Sequence, residues 1–160
     1  MKTGRNYIKN LHCFISPIIN ESRVMKETNS LIKLGLVSEI KILGFWDLGL
    51  DINEKIDNYR EIIRITTILK KNKIKKSIFR KVVAIISFFE LNIKYLIYLI
   101  RYKPNFISCH NLILLPVCVL GKIISGSKLI YVPHELETEK AGLNGPFRKI
   151  NALIENILFG

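Results

Sequence analysis

The stretch from Asn105 to Val132, NFISCHNLILLPVCVLGKIISGSKLIYV, limits the fold more than any other part of the chain. A β-rich apolar run introduced by Pro104 (NFISC) leads into a helix-forming segment, Leu112–Ser125. A second apolar run, Lys128–Val132 (KLIYV), follows. Two strands joined through a helix pair in parallel, by a right-handed crossover. The same alternation runs upstream. Leu11–Ile15 (LHCFI) reads as a buried strand, followed by the loop SPIINES. Arg23–Leu34 reads as a helix, with Ser22 placed to cap its start and Gly35 to stop it. Ser38–Leu43 (SEIKIL) is expected as a second strand, Phe45–Tyr59 as loop, and Glu61–Ile68 (EIIRITTI) as a third strand. A long helical region then precedes the Asn105–Cys109 strand, and Phe147–Phe159 closes the chain as a further helix. The pattern predicts an α/β fold, a doubly wound parallel sheet in one domain.

Composition narrows the partners. Hydrophobic residues make up 49% and charged residues 24%, a globular balance. The net charge of +12 favours polyanions: nucleic acid, an anionic bilayer or phosphate-bearing substrates. The basic run Leu69–Lys81 (LKKNKIKKSIFRK) has few interleaved aromatics and no recognition motif, which argues against nucleic acid. Val82–Ile100 approaches the length of a spanning helix, yet Glu90 and Lys94 fall in its middle. Burying each charge there costs roughly 2.5–3.5 kcal/mol. The expectation is a helix packed on the sheet and partly dipped into an anionic membrane surface, its lysines on the headgroups. The competing expectation is an ordinary crossover helix with a solvated basic shoulder. Three cysteines without framework spacing (Cys13, Cys109, Cys118) and no secretory signal read as a reduced, cytoplasmic protein. Cys118 reads as a small core residue.

In open parallel sheets, ligands bind at the carboxyl ends of the strands. Three loops are expected there: SPIINES, the pair His110-Asn111, and PHELETE after the fifth strand. His110 and His134 follow consecutive strands. Neighbouring strands lie about 5 Å apart, so the two imidazoles are expected to face one pocket. KLIYV lacks polar alternation and is expected to be buried on both faces. Pro133 would end its pairing and leave His134 pointing into the cleft. Glu135, Glu137 and Glu139 would open the next turn, where Glu135 is placed to orient a substrate hydroxyl. Arg23, near the start of the first helix, is placed to meet an anionic group on the same edge. His12 and Cys13 alternate along a strand and point to opposite faces, so a metal site built from His12, Cys13, Cys109 and His110 is not expected.

Two segments carry a family resemblance. SRVMKETNSLIKLGLVSEIKILG resembles the opening helix and second strand of the acceptor-side domain of retaining GT-B glycosyltransferases of the family-4 type. NFISCHNLILLPVCVLGKIISGSKLIYVPHELETE resembles that family's D-x-I-H-x-H-D-x-x-x-L-P-V stretch and the K-L-V-Y-D-x-H-E-L-x-T-E stretch after it. The order and spacing hold, and together the segments span much of the chain. SPIINES departs from the family's glycine-rich loop, and Pro133 stands where a small or polar residue is usual. The resemblance implies a Rossmann-like domain, half of a GT-B fold, across residues 1–160. The donor-binding domain would lie outside it, so this length alone is expected not to transfer sugar. His134 would be the catalytic residue beside the transferred sugar. His110, Asn111, Arg23, Ser22 and Glu135 would contact the substrates. The partners implied are a nucleotide-sugar, as co-substrate rather than cofactor, and a glycan or lipid-linked acceptor, with no metal. The expected location is cytoplasmic, peripheral on the inner face of the cell membrane. The alternative is a non-catalytic Rossmann-like module that binds a partner or a membrane.

Overall fold

The first strand, β1 (Lys9–Cys13), is paired on both sides, which fixes it as the centre of the sheet. Its neighbours are β2 (Glu39–Phe45) and β5 (Phe106–Cys109), both parallel to it. Beyond β2 lies β4 (Arg60–Ile65), and on the outer side of β4 a three-residue strand, β3 (Asn53–Lys55), runs antiparallel. Beyond β5 lies β6 (Lys128–Tyr131). The order is therefore β3-β4-β2-β1-β5-β6 in this computed structural model, which describes residues 7–19, 21–67 and 77–132. The chain builds outward from β1 in one direction through α1 (Ser22–Lys33). It then recrosses through α2 (Ser77–Tyr102) and builds outward in the other through α3 (Leu115–Ser125). The fold is a Rossmann-like α/β domain, and its direction of winding reverses between β1 and β5.

Each face of the sheet has its own core. Val24 of α1 packs with Ile40, Ile42, Ile62, Phe14 and Ile18 on one face. On the other, Leu91, Tyr95 and Leu99, spaced four apart along α2, pack with Leu11, Leu43 and Ile107 of the sheet and Val117 of α3. That spacing sets one side of a helix against the core and leaves the opposite side outward. Full burial of each such aliphatic side chain contributes roughly 1.5–3 kcal/mol. Gly121 lets α3 lie close to α2: a Cβ there would sit 2.7 Å from Leu99 Cδ1. The three cysteines are free and buried on the face that α2 and α3 cover, and His12 lies on the opposite face, as alternation requires.

Helix ends follow local chemistry. α1 stops in a Schellman motif, with Gly35 at φ +66°, its N–H donating to the Ile32 carbonyl and that of Leu36 to Leu31. α3 stops at Gly126, φ +70°. Ser22, expected as a cap, is instead the first helical residue. Glu21 holds the cap position without a side-chain bond to the helix, because its carboxylate is taken by the Ser16 hydroxyl at 3.0 Å. A 3-10 turn, Leu112–Leu114, precedes α3 within the segment expected to be helix throughout. Two strand expectations need correction. The segment expected as loop contains the end of β2 and all of β3, a fully exposed Asn-Glu-Lys strand with no apolar signature. KLIYV is not buried on both faces among the described residues: β6 pairs only with β5, and Ile130 is 45% exposed. A continuous apolar run does not distinguish a central strand from an edge strand.

The α2 segment is helical, and Glu90 and Lys94 pair across one turn at 2.5 Å. Lys94 also donates to the Thr66 carbonyl at 2.7 Å, fixing the helix to the end of β4. No helix among the described residues is long and apolar enough to cross a membrane. The outward side of α2 nevertheless exposes Ile85, Phe89, Ile93 and Ile97, each 42–63% accessible, beside exposed Ile123 and Ile124 of α3.

Candidate functional site

Where the winding reverses, the loops leaving β1 and β5 meet at the carboxyl edge of the sheet, the place where open α/β folds bind ligands. Asn111, just past β5, ties them: its Oδ1 accepts the Ile15 N–H at 2.9 Å, binding the two loops together. From the helix-covered face, Tyr95 donates its hydroxyl to the Phe14 carbonyl at 2.7 Å. Burial pushes the Tyr95 phenol well above its ordinary pKa, so it remains a donor.

The loop after β1 is held by a residue that the sequence reading did not single out. Arg64, on β4, is 3% exposed. Its guanidinium donates to the carbonyls of Pro17 (2.8 Å), Ile18 (3.3 Å) and Asp51 (2.8 Å), and to the Glu54 carboxylate at 2.7 Å. Ile18 adopts φ +56°, a left-handed conformation that costs a β-branched residue of order 1–3 kcal/mol. The arginine fork holds it there. Gly44 contributes space, since a Cβ at that position would meet the Ser16 carbonyl oxygen at 2.5 Å. Residues 16–18 are thus strained and multiply anchored at the carboxyl edge.

Beneath the edge lies a file of buried polar side chains: Asn10 and His12 of β1, Ser108 of β5 and His110 after it. Ser108 donates to Asn10 Oδ1 at 3.3 Å. The Asn10 amide nitrogen, which can only donate, lies 3.1 Å from His12 Nε2. Burial lowers the His12 pKa from 6.5 to about 3, so the ring is neutral with its proton on Nδ1, and it donates to His110 Nε2 at 2.9 Å. His110 in turn stacks on Phe14, centroids 3.9 Å apart. Glu27 of α1 completes the cluster: one ligand atom from each of His12, Glu27 and His110 lies within 4.8 Å of the others. Desolvation raises the Glu27 pKa above its usual value.

The expected site residues fall into three groups. Ser22 and Arg23 are exposed at the start of α1, on the carboxyl edge. His110 and Asn111 also lie at that edge, but His110 is 1% exposed beneath Phe14, and the Asn111 side chain is engaged with Ile15. His134 and Glu135, with Pro133, Glu137, Glu139 and the Phe147–Phe159 segment, lie outside the described residues. Sequence reasoning missed Arg64, Glu27 and the contact between His12 and His110. The only advance signal was a strand arginine among isoleucines, and one histidine on a strand with another just past a strand that pairs with it.

The strand order and the anchored loops define the class: a Rossmann-like α/β domain whose winding reverses between β1 and β5. Compared with known proteins, the chain matches no family model and no curated protein.

Proposed function

We propose that the chain is the acceptor-side domain of a retaining glycosyltransferase, working on a glycan or lipid-linked acceptor at a membrane surface. One observation supports this reading most. The two segments that resemble the family supply α1 on one side and β5 to β6 on the other, flanking the carboxyl edge where the winding reverses. In the proposed reaction, the bond from the anomeric carbon to the donor phosphate breaks. An acceptor hydroxyl oxygen then bonds to that carbon on the same face, and the hydroxyl proton leaves with the nucleotide diphosphate. Charge on the leaving diphosphate needs donors aimed at it, and in the proposed enzyme a second domain provides them. The present domain contributes positioning. Arg23 meets an anionic group of either substrate and Ser22 lies beside it. Asn111 and His110 act by fixing Ile15 and Phe14 at the carboxyl edge, and His134 with Glu135 would act on the sugar. The exposed apolar side of α2, on a chain of net charge +12, supports contact with an anionic bilayer, where a lipid-linked acceptor would reside.

Amide chemical shifts of the isotope-labelled chain test the proposal. Titration with detergent-solubilised polyprenyl-phosphate glycans should move signals of Ile15, Arg23 and Asn111, and the Arg23→Ala variant should weaken that response. Shifts confined to the amino edge of the strands, around Asn105 and Lys128, would overturn it. A partner-binding module without sugar affinity would leave the carboxyl edge unmoved.

A further inference from the structure

We propose that His12, His110 and Glu27 form a binding site for a transition-metal dication of the Zn²⁺ type. The proposal stands apart from glycosyl transfer, and its role for the ion is to tie α1 to the sheet where the winding reverses. Three separate elements bring these donors together, with ligand atoms mutually within 4.8 Å. Zinc–nitrogen bonds of 2.0–2.1 Å in a tetrahedral shell place neighbouring ligand atoms about 3.3 Å apart. His12 Nδ1 and His110 Nε2 stand 2.9 Å apart, so a few tenths of an ångström of opening admits an ion between them.

The surroundings suit a metal. Ligating imidazoles must be neutral, and both rings are buried away from water. For Nδ1 of His12 to ligate, its proton moves to Nε2. The Asn10 amide then turns over, so that Oδ1 accepts from Nε2 and the amide nitrogen donates to Ser108, whose hydroxyl serves in either direction. Asn10 thereby becomes the outer partner that orients a ligating histidine. His110 is held in place by its stack on Phe14. Glu27 has no ion pair or hydrogen-bond donor among the described residues, and a dication supplies the missing countercharge. A cavity of about 330 Å³, lined in part by Glu27, Asn10 and Ser108, borders the cluster and gives an entry path and room for a water as fourth ligand. Two nitrogens and one carboxylate select Zn²⁺, Co²⁺, Ni²⁺ or Cu²⁺ over Mg²⁺ and Ca²⁺.

The chain has three histidines, so the test is compact. The full 160-residue protein, stripped with chelator, is titrated with Co²⁺ and then with Zn²⁺. The expected result is one Co²⁺ per chain with the visible absorption of a four-coordinate ion, displaced by Zn²⁺ and unaffected by Mg²⁺. Zn²⁺ should also raise the melting temperature. Glu27→Gln keeps the size of a half-buried helix residue and its folding is checked by circular dichroism. It should weaken Zn²⁺ at least tenfold, beyond the lower bound for losing a merely orienting partner. His134→Ala should bind as wild type does, and X-ray absorption should count two imidazoles per zinc. Absence of Co²⁺ absorption in the wild type, unchanged affinity in Glu27→Gln, or loss of binding in His134→Ala overturns the proposal. In the first case the histidine pair is a satisfied hydrogen-bond relay only.

Discussion

Replacing Arg64 with alanine should destabilise the chain more than any surface substitution. The guanidinium is buried, and three of its four acceptors are backbone carbonyls of the loops after β1 and β2. Removing it leaves carbonyls without their donor and opens a hole the size of the side chain. Hydrogen bonds to a charged group contribute about 1.5–3 kcal/mol each, though they are not additive. The Glu54 carboxylate is 48% exposed and re-solvates easily, so its ion pair adds less than about 1 kcal/mol. The expected loss is ~3–5 kcal/mol, the scale for removing one partner from a buried charged network. In a domain of this size that lowers Tm by about 10–15 °C. Urea unfolding followed by circular dichroism measures it, with Glu54→Gln as the comparison. The reasoning is refuted if Arg64→Ala stays within about 1 kcal/mol of wild type, the most a solvated ion pair contributes. It is equally refuted if Glu54→Gln costs as much as Arg64→Ala.

Further outcomes follow from the same structure. Gly44→Ala should cost about 1–3 kcal/mol and shift the amide signals of Ser16 and Ile18, because the new Cβ would press on the Ser16 carbonyl. Unchanged loop signals would show that the close approach is not needed. For acid stability, above pH 6.5 His12 is neutral in both folded and unfolded chains. Below it, the unfolded chain takes up a proton that the folded one refuses until about pH 3. Stability measured in chelator should therefore fall by up to about 1.4 kcal/mol per pH unit across that window, with Glu27 partly opposing it through its raised pKa. His12→Gln, compared with wild type by urea unfolding at pH 7, 5.5 and 4.5, should flatten the slope. Flotation with phosphatidylglycerol vesicles should recover the protein at low salt and less at high salt. Replacing both Phe89 and Ile93 with aspartate should cut recovery about tenfold, through lost apolar insertion and added repulsion. Equal flotation of this variant would exclude that side of α2 from the contact.

Much of the architecture was legible because it rests on local signals. The βαβ run from Asn105 onward, the stop at Gly35 and the opposite facing of His12 and Cys13 each depend on a few adjacent residues. β1 was read two residues late, since Phe14 and Ile15 continue the apolar run after the strand itself has ended. β3 escaped because three exposed polar residues carry no periodicity, and its strand character comes only from the free edge of β4. Edge and centre were confused for β6 because burial depends on what covers a strand. The site was harder still. His12 and His110 are 98 residues apart and meet only through the register of β1 on β5. Arg64 is satisfied by carbonyls whose positions no local pattern encodes.

The central place of β1 has a consequence for how the chain is made. β1 leaves the ribosome before every other described strand, yet one of its two neighbours comes late: Lys9 bonds to Asn105, 96 residues downstream. At synthesis rates of about 5–20 residues per second, that interval lasts roughly 5–20 s. Through it, α1, β2 and β4 can assemble on one side while the other edge of β1 presents unpaired N–H and C=O groups. A nascent chain in that state is a template for a second copy, and chaperone demand should peak before residue 105 emerges and fall once β5 docks.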